Sequence, residues 1–585
     1  MPQRETHHTT HDRWGEAALF FAEFRRRGWF DLLLLVGFVG AIFGFLSLAG
    51  EWRTLRPAVH IDLSPRALPL YVFYSLCRGL IAYVLSLLFT LCYGYWAAKD
   101  QIAERVLIPL LDILQSIPVL GFMPGLVLAL VGIFPASNIG LELACVIMIF
   151  SAQAWNMTFS FYHSLRSIPK DQIEAATTYR FDWWQRLRWV ELPFATIGLV
   201  WNSMMSMAGG WFFLMINESF VLGEKDFRLP GIGSYMSVAV AQGNVPAMLW
   251  AIFAMVLMIV VLDQLLWRPV VVWSQKFRVE EGAEEVSASS WFYDWIRRSL
   301  LIDWIETLVQ RARERRQLRR AAARARKPVA AALPSQSSTF LSLALFGVLM
   351  VFLLFGGWRL FALLRQLPFR DYPPILRACG WTLGRVLLST AIGTLWTLPA
   401  GLAIGLSPRL SRVFQPVVQV AASFPAPMLF PLVITVLSAA GVSLGWGSVV
   451  LMLLGTQWYI LFNVIAGAMA IPSDLREAAL SYRFDRMQRF KTLYLPGVFP
   501  YLVTGWVTAA GGAWNASIVG EIMNFKGRLL TTNGLGAQIS RAAERADFPH
   551  LAAGVTVMAI VVVLFNRTVW KRLYRMTEER FSLSK

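Results

Sequence analysis

One stretch of this chain occurs twice, and the duplication limits what the rest can fold into. Residues 171–193 read DQIEAATTYRFDWWQRLRWVELP, and residues 473–496 read SDLREAALSYRFDRMQRFKTLYLP. Setting Glu174 against Glu477 gives an offset of 303 (477 − 174), and residues 168–193 then align with 471–496 without a gap. Identical pairs include Ile168/Ile471, Pro169/Pro472, Asp171/Asp474, Tyr179/Tyr482, Phe181/Phe484, Gln185/Gln488, Arg186/Arg489 and Pro193/Pro496. Both copies are polar and both are flanked by long apolar runs, so they work in water beside a membrane.

The composition agrees. With 56% hydrophobic residues, 15% charged and a mean hydropathy of +0.52 over 585 residues, the chain is an integral membrane protein and not a soluble enzyme. Cys77, Cys92, Cys145 and Cys379 lie in apolar runs without pairing or metal-ligand spacing, and are expected to be small buried hydrophobes. The net charge of +18 is concentrated in the tails, the repeated segments and a central linker. That distribution fits positive-inside topology and contact with anionic lipid, with no nucleic-acid partner.

Taken in order, a polar tail (1–27) holds His7, His8 and His11, which lack the framework a metal site requires, and ends in Arg25, Arg26 and Arg27. Spans are expected near 28–48, 70–97, 106–134, 138–162, 192–218 and 246–273. The first is long enough to cross and is expected to stay in the mature protein. A linker (274–337) combines an amphipathic stretch, 291–310, with an arginine-rich one, 311–327, and is read as basic, cytoplasmic and close to lipid headgroups. Spans resume near 338–367, 375–406, 413–440, 443–469, 495–523 and 549–572, before a short tail (574–585).

The register of the repeat extends well beyond its first segment. At the same offset Trp155 meets Trp458, Glu218 meets Glu521 and Trp267 meets Trp570; at an offset of 307, Arg78 meets Arg385, Pro118 meets Pro425 and Pro124 meets Pro431. The expected fold is therefore all-α and membrane-integral, with about twelve transmembrane helices as two parallel six-helix repeats, 28–273 and 338–573. Both repeated loops and both termini then share the cytoplasmic side.

Glu-Ala-Ala followed after a fixed interval by Leu-Pro, present twice, resembles the EAA loop of the transmembrane permeases of type I ATP-binding-cassette (ABC) importers. The paired prolines, the segment GGAWNASIVGE at 511–521 and the GLG at 534–536 resemble the nitrate/sulfonate/taurine/bicarbonate branch. The resemblance implies a bacterial inner-membrane protein that imports a small anion. It implies coupling loops at 165–193 and 470–496, in which Glu174, Ala175, Ala176, Arg180 and Asp182, with Glu477, Ala478, Ala479, Arg483 and Asp485, meet ATPase subunits. Leu-Pro is expected to close each loop where the next span begins. The partners implied are two ATPase copies, identical or different, and an extracytoplasmic solute-binding protein. No phosphate-binding loop motif occurs in the sequence, so the chain itself is expected to have no catalytic residues and no cofactor, with ATP and Mg bound by the partner subunits.

In one respect the loops depart from the family pattern. Arg180 and Arg483 stand where the family has glycine. Because arginine disfavours positive φ, a reshaped turn is expected.

Candidates for the translocation path are Glu218 and Glu521, with Asn217 and Trp514 nearby, because ionisable groups near a membrane span are functional by default, a structural or gating role being the equal alternative for the two glutamates. Pro118 and Pro425, with Pro124 and Pro431, are expected to shape the pore. Arg78 and Arg385 are read as snorkelling or pairing with a helix-end carbonyl. Two other classes fit a duplicated membrane protein: a secondary transporter with 6 + 6 parallel repeats, and a membrane scaffold without transport.

Overall fold

A computed structural model describes residues 60–277 and 337–580, apart from 117, 136–137, 223–224 and 526–527, together with Ser290 and Tyr293. The N-terminal tail, the expected span at 28–48, most of the linker and the last five residues lie outside the described residues.

The first half begins with α1 (Leu68–Lys99), α2 (Gln101–Ser116), α3 (Val119–Ile133) and α4 (Ile139–Arg166). The short α5 (Lys170–Thr178) leads into α6 (Trp183–Asn217). A hairpin of β1 (Ser219–Leu222) and β2 (Lys225–Arg228) follows, then α7 (Ile232–Ala241) and α8 (Val245–Phe277). The second half repeats this order: α9 (Ser337–Leu364), α10 (Phe369–Gly405), α11 (Pro408–Ser423), α12 (Phe430–Ala439), α13 (Leu444–Met469), the short α14 (Ser473–Ser481) and α15 (Leu495–Gly520). It ends with β3 (Ile522–Phe525), β4 (Arg528–Thr531), α16 (Leu535–Glu544) and α17 (Phe548–Thr577). Seven of the described helices are long and apolar enough to cross a membrane: α1, α4, α6, α8, α10, α13 and α17. With the apolar α15 and the shorter apolar helices between them, they form an all-α membrane protein with a duplicated unit.

The structure corrects two expectations about the spans. The runs 106–134 and 413–440 are not single spans. Each is broken at an internal proline, Pro118 (φ −61°, ψ 116°) or Pro425 (φ −70°, ψ 110°), into a helix with one apolar face, α2 or α11, and a short apolar helix, α3 or α12. At 1.5 Å per residue, the 15 residues of α3 reach about 22 Å, short of the roughly 30 Å hydrocarbon core. The other correction concerns Leu-Pro, which does not mark the start of the fifth span. Helix α6 already begins at Trp183 and widens into a π turn over Leu187–Glu191; Arg486–Arg489 and a π turn over Phe490–Tyr494 precede α15. A wide turn frees the carbonyl that Pro193 or Pro496 has no N–H to satisfy.

The halves meet through their fifth and broken third spans. Helix α6 packs on α11 and the turn Ala426–Met428, and α15 packs reciprocally on α3. The Asn515 side chain crosses this seam, accepting from the Leu120 N–H at 3.3 Å. Cys145 and Cys379 are buried as expected, but Cys92 is exposed on the apolar exterior.

Candidate functional site

Helices α5 and α14 are the same object built twice. Each starts after a proline, Pro169 or Pro472, and ends in a turn in which two backbone N–H groups reach back. Phe181 donates to the Ala176 carbonyl at 2.9 Å and Arg180 to that of Thr177 at 2.9 Å; Phe484 donates to Ala479 at 3.0 Å and Arg483 to Leu480 at 2.9 Å. This pairing closes a helix end only if the residue after its cap is left-handed. Arg180 (φ 51°) and Arg483 (φ 52°) take that conformation. The expected reshaping of the turn is thus overturned: the hydrogen bonds hold the backbone in the geometry glycine would adopt, and arginine bears the strain.

Asp182 and Asp485 start the next helices. Asp182 accepts from the Gln185 N–H at 2.8 Å while Gln185 Oε1 accepts from the Asp182 N–H at 3.0 Å; Asp485 and Gln488 repeat this at 2.6 and 2.9 Å. Within each triplet Ala176 and Ala479 turn inward, while Glu174, Ala175 and Glu477 are exposed and Ala478 is half-buried. Each short helix packs on the π turn of its own loop. In the first half that turn is pinned: Glu191, 1% exposed, accepts from Lys99 Nζ at 2.5 Å and Arg186 Nε at 2.9 Å. Tyr494 stands there in the second half.

Glu218 and Glu521 are fully buried at the ends of α6 and α15. One oxygen of Glu218 accepts from Ser75 Oγ (2.6 Å) and Arg78 Nη1 (2.7 Å), the other from the Gly233 N–H (2.7 Å) in the first turn of α7. Arg78 also donates to the Pro230 carbonyl (2.8 Å) and, as a fork, to Glu142 (2.6 and 2.7 Å). In the second half Glu521 accepts from Thr382 (2.8 Å), Arg385 (2.7 Å) and the Gly536 N–H (2.9 Å), and Arg385 reaches the Asn533 carbonyl (2.8 Å). A helix N-terminus favours the anion in both places. The approach requires glycine: a Cβ on Gly231 or Gly534 would lie within 2.4 Å of carboxylate atoms. These carboxylates lock the hairpin and the short helix α7 or α16 onto the second span. Asn217 is half-buried beside Glu218, its amide atoms shielded from solvent and neither of them hydrogen-bonded among the described residues, and Trp514 belongs to the main apolar core.

A pocket with about 70 Å³ of free space opens instead at the seam between halves. At roughly 10–15 Å³ per water it holds on the order of five water-sized groups. Its wall combines Phe212, Phe424, Phe462 and Trp458 with Gln419, Tyr459 and Asn515, and none of the described residues that line it is charged. The Asn515 amide is engaged with Leu120 and Gly511, whereas Gln419 and Tyr459 make no side-chain hydrogen bond among the described residues. The sequence reading missed these residues. Their one signal was position, since Gln419 falls on the polar face of α11 and Tyr459 one residue beyond the repeated tryptophan. No group of three or more His, Cys, Asp or Glu side chains among the described residues is arranged to hold a metal ion.

The profile of the family described as "Binding-protein-dependent transport system inner membrane component" matches residues 90–266 and again 393–582, together more than half of the chain. The taurine transport system permease protein TauC of Escherichia coli (strain K12) is 25% identical over 33% of this chain and 67% of its own length. The nitrate import permease protein NrtB of Leptolyngbya laminosa is 24% identical, over 32% and 66%. The bicarbonate transport system permease protein CmpB of Synechocystis sp. is 26% identical, over 34% and 70%. Each alignment thus spans about two thirds of the relative.

Proposed function

The chain belongs to the binding-protein-dependent transport system inner membrane components, as an ABC-importer permease of the taurine, nitrate and bicarbonate branch with two units fused, and from that premise we propose that α5 and α14 carry ATP-driven motion from two separate ATPase subunits into one translocation path. ATP and Mg²⁺ bind those subunits, and an extracytoplasmic solute-binding protein delivers the solute. The observation that supports the reading best is the repetition of one exposed helix, with one C-terminal turn and one capping box, at equivalent places in both halves. Each joins the fourth span of its half to the fifth, and the fifth spans form the seam. A push on either helix therefore acts along the element that lines the pocket.

The solute is a small anion, by analogy with what the relatives are named for. The pocket supports passage more than capture: the Gln419 amide and Tyr459 hydroxyl donate to an oxyanion without the Coulomb energy that would retain it. Both termini face the cytoplasm, in keeping with the basic residues of both tails and of the central linker.

The test is uptake by the full chain in proteoliposomes with its ATPase. ATP should drive accumulation, and replacing Glu174 and Glu477 together by alanine should abolish it while leaving the chain folded. Accumulation by the chain alone under a proton or sodium gradient would instead identify a secondary transporter. Uptake unaffected by the double replacement would remove the coupling role.

A further inference from the structure

Two surface arginines carry a conformational strain that glycine, closing the same turn with the same two backbone hydrogen bonds, would not. A left-handed conformation costs a non-glycine residue about 1–2 kcal/mol. Arg180 and Arg483 both adopt it, at φ 51° and 52°. A cation near a helix C-terminus recovers roughly 0.3–1 kcal/mol, but a basic residue in the last helical turn would recover the same at ordinary φ. Both side chains are exposed, and neither makes a hydrogen bond or ion pair among the described residues. Each follows a highly exposed tyrosine, Tyr179 (76%) or Tyr482 (78%), so the tip of each loop presents a phenol beside a free guanidinium.

Comparing the two loops shows what they retain. Apart from Arg186/Arg489, of which Arg186 is bound to Glu191, the other basic positions differ: Lys170 is matched by Ser473, Ile173 by Arg476, Trp183 by Arg486 and Arg188 by Lys491. Tyr-Arg-Phe-Asp is identical in both. Attraction to lipid headgroups needs only charge in the neighbourhood and tolerates such drift. A planar fork kept in one place, at the expense of backbone strain, fits a carboxylate at a defined position.

We propose that Arg180 and Arg483 are the recognition contacts of α5 and α14, each seating in a carboxylate-lined notch on an ATPase subunit, and that the identical tips engage two copies of one ATPase. The proposal rests on the coupling role given to these helices above, and it adds the chemistry of the partner surface.

The experiment uses the full-length chain in phosphatidylcholine nanodiscs, titrated with the ATPase that co-purifies with it, after separation and purification. Glycine suits the turn, so the Arg180→Gly/Arg483→Gly variant should melt at or above the parent temperature. Its Kd for the ATPase should rise about tenfold or more, and binding should lose part of its salt dependence. Arg180→Lys/Arg483→Lys should bind with intermediate strength. Parental Kd and salt slope in the glycine variant would overturn the proposal, as would a loss seen only in nanodiscs containing anionic lipid. Glu174→Ala/Glu477→Ala separates the two levels. Weakened binding there beside an unaffected glycine variant sinks the arginine assignment alone, whereas parental binding in both sinks the coupling role.

Discussion

Replacing Arg78 by leucine tests whether the Glu218 cage holds the first half together. Arg78 is only 6% exposed in its side chain, and it is the cation that faces the fully buried Glu218 at 2.7 Å. Removing one partner of a buried ion pair typically destabilises by about 3–5 kcal/mol, because the remaining charge stays buried with its solvation unreplaced. Ser75 and the Gly233 N–H would still serve Glu218, so the lower part of that range, about 3 kcal/mol, is expected. A cooperative unit of 150–250 residues shifts by roughly 2–4 °C per kcal/mol, which puts the fall in melting temperature on the order of 6–12 °C. The assay is tryptophan fluorescence on heating in lipid nanodiscs. Two further variants sharpen it. Glu142→Gln leaves the buried pair intact and alters a side chain that is 40% exposed, so it should shift stability by less than about 1 kcal/mol. Arg78→Met combined with Glu218→Gln removes both charges and should recover part of the loss. If Arg78→Leu melted within a degree of the parent, or if Glu142→Gln were equally damaging, the cage would not be the element that fastens α7 to α1.

Other expectations come from differences between the halves. Gly243 (φ 65°) and Ala546 (φ 54°) occupy equivalent left-handed turns, so Ala546→Gly should raise stability by about 1 kcal/mol in the same melt, and a loss would show that the turn is held by other means. Glu191→Gln weakens the link from Lys99 to Arg186 that only the first half has; it should lower solute transported per ATP hydrolysed in proteoliposomes, whereas an unchanged ratio would make the link purely structural. Gln419→Glu places a negative charge on the seam pocket and should cut anion uptake about tenfold or more without affecting ATPase binding, measured by tracer uptake beside co-purification. Uptake at the parental rate would put the path elsewhere.

Much of this was legible in the chain itself. The matching of Glu174 with Glu477 and of Glu218 with Glu521 defined a duplicated unit, and long apolar runs placed it in a membrane. Prolines 118 and 425 marked the third run of each half as one expected to shape the pore, since a residue without an N–H leaves its mark wherever it falls. The limits also have physical causes. Hydropathy counts apolar residues and does not see a helix stop, so α2 and α3 read as one span. Propensity sets arginine against positive φ, but two backbone hydrogen bonds outweigh a preference of a kcal/mol or two.

The roles of the charged groups at membrane depth could not be read from order along the chain. Ser75, Arg78, Glu142, Glu218 and Gly233 lie on four different elements, and only their convergence turns a candidate pore residue into a buried fastening. The seam pocket likewise depends on how α6 rotates against α11 and α13, because a helix surrounded by lipid and protein is apolar on all sides and its sequence does not say which side faces the partner. Sequence by itself determined the duplication, the membrane setting and the two repeated polar loops, all of which are local or periodic properties. Tertiary structure decided which buried polar atoms meet, because desolvation leaves each of them stable only where a partner from a distant part of the chain arrives.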